Sequence, residues 1–427
     1  MGMNQVWVAG IVFLLTYAVI ISEKLHRTVV ALLGAAVLLI MGTLSQETAL
    51  HHIDFNTLGL LTGMMIIVGI TRHSGVFQYL AIVAARWAKG EPMAIMVALA
   101  TITAVLSAFL DNVTTVLLIV PVTFSITREL KINPIPFLIS QVLASNIGGT
   151  ATLIGDPPNI MIGSQVKELT FNAFIWNLTP VIIIIFIVTI YLLKWIYRKD
   201  LNVAPELKSR LMAFDPYKEI KDPLLLKKSL LVLALTIAGF ATHQIFHLES
   251  ATIAMAGATL LMLISKVDME KIFHEVEWPT LFFFIGLFIL VGGLVEVGII
   301  KAMAEKSLEI TEGNLTFAAM LILWVSAIAS AFVDNIPFVA TMIPLIKTMG
   351  QLGNMGNIEP LWWALSLGAC LGGNGTIIGA SANVIVAGMA ERQGYPMTFV
   401  GFMRIAFPLM IVSIIISSAY IYLRYLL

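Results

Sequence analysis

Apolar stretches close to 20 residues long recur along the chain, separated by short polar loops. A helix of about 20 residues is what the ~30 Å hydrocarbon core of a bilayer demands. The pattern predicts spanning helices near 5–22, 28–44, 55–71, 135–163 and 175–195, and again near 229–247, 250–265, 278–297, 360–390 and 397–423. Two further apolar segments, 93–128 and 315–349, each carry a polar break in the middle. The stretch 194–228 is the one long polar linker and is rich in Lys and Arg. The first apolar run has no basic region before it and no small-residue cleavage pattern after it, so it reads as a retained span, not a secretory signal.

Composition narrows the class. Of 427 residues, 59% are hydrophobic and 12% charged, and the mean hydropathy is +0.95. A soluble domain carries about 25% charged residues, so a polytopic membrane protein is expected. The 25 basic and 25 acidic side chains cancel, leaving no excess to hold nucleic acid. A single cysteine, Cys370, excludes intrachain disulfides and thiolate metal clusters.

The chain repeats itself. Ser107-Ala-Phe-Leu-Asp-Asn112 recurs as Ser330-Ala-Phe-Val-Asp-Asn335, with Pro121 and Pro344 ten residues after each Asp. Gly148-Gly149-Thr150-Ala151-Thr152 through Gly155 recurs as Gly372-Gly373-Asn374-Gly375-Thr376 through Gly379, and Asn159 matches Asn383. Matches in one register across most of the chain mark two halves, roughly 5–197 and 228–425. Five spans per half, joined by a cytoplasmic linker, give the halves opposite orientations. The positive-inside rule agrees, because Lys24, Arg27, Arg72, Arg86, Lys89, Arg128, Lys131 and the linker fall on one face. Each broken segment then enters and leaves on one side as a re-entrant hairpin. The expected fold is all-α, with two inverted repeats of five spanning helices and one hairpin each, the architecture of secondary transporters.

The polar breaks carry the candidate chemistry. Asp111 and Asn112, followed by Thr114 and Thr115, sit at one hairpin tip; Asp334 and Asn335 sit at the other. Ionisable groups at membrane depth are costly and usually functional, although Asp and Asn also cap a returning helix. In the second break, Gly148, Gly149 and Gly155 are expected to release the backbone from helical geometry. Its carbonyls, with the hydroxyls of Thr150 and Thr152, then offer oxygens to a hard cation. Asn146, Asp156 and Asn159 complete this break; Asp156 ahead of Pro157 is also a good helix cap. Gly373, Asn374, Thr376 and Asn383 form the partner break. Asp111, Asn112 and Thr150 are the candidate sodium ligands. His243 and His247 have metal-compatible spacing without a third ligand, and His51, His52, Arg72, His73 and Glu296 read as boundary residues reaching water. Cys370 reads as a packing residue, and Gly59 with Gly63 as a close helix contact whose partner the sequence does not name. No nucleophile–base constellation is visible, so no enzyme is expected.

The runs Ser107-Ala-Phe-Leu-Asp-Asn-Val-Thr-Thr115 and Ala144-Ser-Asn-Ile-Gly-Gly-Thr-Ala-Thr-Leu-Ile-Gly-Asp-Pro-Pro-Asn159 resemble the ion transporter superfamily, in particular its arsenite permease and P-protein branch. That branch neighbours the sodium–proton antiporters and the citrate and dicarboxylate carriers. The resemblance implies a homodimer in a prokaryotic-type plasma membrane, working by an elevator mechanism. Segments 1–92 and 228–314 would be scaffold, 93–197 and 315–427 the moving transport part, and 198–227 the cytoplasmic linker. The coupling ion would be sodium or a proton, with no other cofactor. Dicarboxylate carriers have Ser-Asn-Thr at the tips, whereas this chain has Asp111-Asn112-Val113 and Asp334-Asn335-Ile336. With two acids and no arginine expected near the tips, a small inorganic solute of the arsenite or antimonite kind is expected in place of a dianion. A sodium–proton antiporter and a sodium-coupled citrate-type carrier are the alternatives. A cysteine placed at Ser209 is expected to react with impermeant reagents only from the cytoplasmic face; labelling from outside intact cells would overturn the topology.

Overall fold

A computed structural model describes residues 3–22, 24–199, 201, 204–353 and 355–427. The described residues are helical throughout the two halves. Repeat one holds α1 (Met3–Ser22), α2 (Arg27–Ile40), α3 (Gln46–His52), α4 (Phe55–Arg72), α5 (Val76–Trp87), α6 (Pro92–Phe109), α7 (Asn112–Glu129), α8 (Ile135–Thr150), α9 (Pro157–Gln165) and α10 (Phe171–Tyr197). The linker carries α11 (Pro205–Met212). Repeat two holds α12 (Pro223–Phe246), α13 (Ser250–Ser265), α14 (Met269–Glu275), α15 (Trp278–Glu296), α16 (Ile299–Thr311), α17 (Leu315–Phe332), α18 (Asn335–Gly353), α19 (Glu359–Gly372), α20 (Ser381–Arg392) and α21 (Phe399–Ile421). Each helix of repeat one has its counterpart in repeat two.

Eight helices among the described residues are long and apolar enough to cross a membrane. Six of them, α1, α4, α10, α12, α15 and α21, fall on expected spans; the other two, α6 and α17, are the first arms of the hairpins. The remaining expected spans differ in build. Helices α2 and α13 have only 14 and 16 residues, and the short helices α3 and α14 follow them. The spans near 135–163 and 360–390 are each two half-helices, α8 with α9 and α19 with α20.

Helices pack in two groups. In one, α2 lies on α15 and α4 on α13, with α1 and α12 outside them. In the other, α6 packs on α8 and α17 on α19, while α7 meets α20 and α18 meets α9. Small residues set the first group's spacing. A Cβ on Gly63 would lie 2.6 Å from the Ala254 carbonyl carbon, and one on Gly286 would lie 2.7 Å from that of Ala31. These are repeat-related contacts, and α13 is the partner that Gly59 and Gly63 lacked in the sequence reading. Close backbone approach of this kind is how helices associate without a hydrophobic drive between them.

The boundary histidines are paired, which the sequence did not suggest. His52 Nε2 lies 3.0 Å from Glu296, and His73 Nε2 lies 2.9 Å from Glu275. The repeat offset places His52 over Glu275 and Glu296 over His73, so the same bridge is built twice with its partners exchanged. Gly292 gives the His52 ring its space, since a Cβ there would come within 2.5 Å of it. Gly63→Val is expected to destabilise the protein by about 1–3 kcal/mol through overpacking. Gly388→Ala, where no atom lies within 4 Å, should be neutral or stabilising. Thermal unfolding in detergent checks the pair; equal melting temperatures would contradict the close-packing account.

Candidate functional site

A helix broken inside a membrane frees carbonyls that have no water to meet, so other groups must satisfy them. Here two asparagines do so. Asn159, in the first turn of α9, donates through Nδ2 to the Thr150 and Thr152 carbonyls at 3.1 and 2.9 Å. Asn383, in the first turn of α20, donates to those of Gly373 and Thr376 at 2.7 and 2.9 Å. Their remaining oxygens reach across to the other repeat. Asn159 Oδ1 accepts from Ser366 Oγ at 2.5 Å, and Asn383 Oδ1 accepts from Asn146 Nδ2 at 2.9 Å. Asn146 also donates to Asn374 Oδ1 at 2.9 Å. All of these side chains are buried.

Several expected roles change. Gly148 and Gly149 remain helical within α8. They serve close approach: a Cβ on Gly148 would lie 2.1 Å from the Ala104 carbonyl oxygen of α6, and one on Gly149 2.7 Å from that of Gly155. Gly372 does the same against Ala327, at 2.5 Å. Thr150 stays in the last turn of α8 and donates to the Asn146 carbonyl at 2.7 Å. Thr152 and Thr376 donate to the carbonyls of Ala108 and Ala331, tying each break to its own hairpin. Asp111 and Asn112 line the small cavity at the hairpin tips, and Thr150 is not among its lining residues. Thr115 is buried with its hydroxyl unpaired.

The two tips meet at one small cavity. Asp111, Asn112, Val113, Asp156, Pro157, Asn335, Ile336 and Ser381 line it from the hairpin and broken-helix group, and Arg27, Leu61, Met65, Glu277 and Thr280 from the other group. Its volume is ≈ 30 Å³, room for about two waters or one small ion. The N-termini of α7, α9, α18 and α20 converge on this region. Each contributes roughly half a positive charge, which offsets part of the acid cluster.

The repeated aspartates are not equivalent. Asp111 caps α7: one oxygen accepts from the Thr114 N–H at 2.9 Å and the other from the Thr114 hydroxyl. Repeat two has Pro337 where Thr114 stands, which offers neither donor. Asp334 Oδ1 accepts from the Ile336 N–H at 3.0 Å, and Oδ2 turns to Ser381 Oγ at 2.9 Å and Arg27 Nη1 at 2.9 Å. An arginine therefore lies at the tips, contrary to expectation. The sequence placed Arg27 in a cytoplasmic loop by its charge; only packing shows that this helix start abuts the tip of hairpin two. The unexplained replacement of Thr114 by Pro337 was the signal that Asp334 required an outside donor. Glu277 and Ser381 are further cavity residues that sequence reasoning missed.

Asp156 sits at the N-cap position of α9, yet its side chain makes no capping hydrogen bond. The capping role expected for it is not realised. It is fully buried. One oxygen faces Asn112 Nδ2 at 3.4 Å and the other has no hydrogen-bond partner. Asn112 Nδ2 also donates to Asn146 Oδ1 at 3.0 Å, linking the tip to the asparagine network. The Asn335 amide nitrogen is likewise buried and unpaired. Desolvation makes a bare buried carboxylate costly; a bound proton or monovalent cation removes that cost. The candidate metal pair His243 and His247 gains no third ligand, and among the described residues no cluster of metal-ligating side chains occurs.

Comparison with known proteins agrees with this architecture. The family model described as a citrate transporter matches residues 17–368. An uncharacterized transporter of Mycobacterium tuberculosis is 43% identical over 423 residues, covering 98% of both chains. The human P protein is 36% identical over 500 residues, which take in 98% of this chain and 60% of that protein. Among solved structures, the Alcanivorax borkumensis YdaH transporter, described as having an unusual topology, aligns over 99% of this chain and 97% of its own with a TM-score of 0.61. At 16% identity that likeness speaks for the fold alone. Two inverted all-helical repeats, a buried polar site at their crossing and a family match over most of the length establish that this chain is an integral membrane transporter belonging to the citrate transporter family.

Proposed function

We propose that the protein is an ion-coupled secondary transporter that carries a small inorganic solute of the arsenite or antimonite kind. In this reading, 1–92 and 228–314 form the scaffold, and 93–197 and 315–427 move past it as an elevator. The linker 198–227 stays cytoplasmic and two protomers join in the plasma membrane. The observation that carries the reading is the lining of the small cavity: two aspartates, Asp111 and Asp156, one glutamate, Glu277, and a single guanidinium, Arg27, that is already paired to Asp334. A neutral trihydroxide needs only the hydrogen bonds that asparagine amides and helix N-termini supply. A dianion meets unit charges of its own sign, worth roughly 4 kcal/mol at 4 Å in a surface-like dielectric.

Asp156 is the coupling residue in this proposal, because it is buried, uncapped and half unpaired. A proton suits it because one oxygen has no hydrogen-bond partner and Thr150 and Thr152 are not among the residues lining its cavity. Asp111 acts mainly as a cap. Sodium–proton exchange without a third solute uses the same residue and is separated from the main reading by flux alone.

A citrate-type substrate is the second reading. Arg27 and the four converging helix N-termini favour it, as does the description of the matching family. In that case a substrate carboxylate replaces Asp334 on Arg27.

Flux into proteoliposomes under separately imposed proton and sodium gradients tests these readings. Metalloid movement driven by a proton gradient is expected, and Asp156→Asn is expected to abolish the pH drive. Asp111→Asn, which keeps a capping acceptor, should leave flux within about threefold of the native value. Saturable citrate uptake with no metalloid flux would replace the first reading by the second. Proton-driven sodium flux alone would make the protein an antiporter.

A further inference from the structure

Beside the small cavity, under the loop that holds Leu25 and His26, lies a second, larger one. It measures ≈ 280 Å³ and is lined by Ile20, Leu25, His26, Phe332, Val333 and Ile385, among others. Arg27 and Ser381 border both this vestibule and the inner cavity, and Asp334 borders the vestibule beside them. They form a closed triangle. Arg27 Nη1 donates to Asp334 Oδ2 at 2.9 Å and to Ser381 Oγ at 2.7 Å, while Ser381 Oγ donates to the same Asp334 oxygen at 2.9 Å. The guanidinium lies 4.9 Å above the Phe283 ring, which fixes its plane.

We propose that the Arg27–Asp334–Ser381 triangle is a one-sided gate that shuts the inner cavity from the cytoplasmic vestibule and latches the two helix groups in this position. Arg27 and Phe283 belong to the group of α2 and α15; Asp334 and Ser381 belong to the tip of hairpin two and the start of α20. The bond therefore crosses the surface between the groups, and relative motion has to break it. The proposal rests on the transport reading above, which supplies that motion.

The gate has no copy on the other side. The repeat partner of Arg27 is Ser250, that of Ser381 is Pro157, and Asp111 is satisfied by Thr114. On the opposite face Ser164 Oγ of α9 donates to Asp54 Oδ1 of the α4 cap at 2.8 Å, and Lys167 pairs with Glu249 at 2.9 Å; both members of that ion pair are exposed and neither lines the inner cavity. Among the described residues, the ion pair that borders the inner cavity therefore stands on one face alone. Arg27 is a positioning residue in this scheme, acting through Asp334.

Two reporter cysteines in a Cys370→Ala background test the gate. Met65→Cys lines only the inner cavity, and Val384→Cys lines the vestibule. In sealed vesicles, a small impermeant thiosulfonate added at the linker face should label Val384→Cys readily and Met65→Cys slowly. Adding Arg27→Gln or Asp334→Asn should speed Met65→Cys labelling by about tenfold or more, as loss of a charge-assisted hydrogen bond implies. Arg27→Lys should fall between. Unchanged Met65→Cys rates in both variants, with Val384→Cys labelling intact as proof of fold, would overturn the gate. Failure of the transport reading shows separately: the native protein would then move no solute or ion under either gradient, whatever the labelling rates.

Discussion

Everything at the centre of this protein depends on satisfying backbone carbonyls where a helix is interrupted inside a membrane. The α8–α9 and α19–α20 spans each stop inside the buried core, away from water that could take up the freed groups. Asn159 and Asn383 solve the same problem in both repeats, each clamping its own break with the amide nitrogen and gripping the opposite repeat with the oxygen. A single side chain therefore both stabilises an interruption and joins the two halves. Replacing either by an apolar residue would strand several buried polar groups at about 1–3 kcal/mol each. The network also fixes the tips, since Asn146 holds Asn112 beside Asp156.

With the backbone satisfied internally, the acids are the groups left to act. The two tip aspartates descend from one repeated motif but differ in a neighbour. Thr114 closes Asp111 on itself, whereas Pro337 leaves Asp334 open to Arg27 and Ser381. Duplication provides a symmetric frame, and a proline in place of a threonine leaves one of its two tips to pair with an outside cation. Asp156 departs further, being replaced by Ala380 in the second repeat. Symmetry thus belongs to packing, and asymmetry to chemistry.

Much of this was legible in the chain. Spans and hairpins followed from apolar lengths, and the inverted repeat from the offset between the Asp-Asn and Gly-Gly motifs, because both signals are local and periodic. The residues at the crossing of the repeats were also marked, since polar groups at membrane depth stand out against apolar surroundings. What each does was harder to read. Gly148 and Gly149 were expected to unwind a helix and instead admit a neighbouring carbonyl. Asp156 was expected to cap and does not. Such differences depend on which atom lies a few ångströms away, and no spacing rule encodes that.

The sequence by itself determined the fold class, the pairing of halves and the position of the polar breaks along the chain, because hydrophobic length and repetition act along the chain. Only the tertiary structure decided the partners: Arg27 on Asp334 across 307 residues, Asn146 on Asn383 across 237, and His52 on Glu296 across 244. Arg27 looks like an ordinary loop cation in one dimension. It becomes part of the site because α2, packed closely on α15 at Ala31 and Gly286, begins beside the tip of hairpin two.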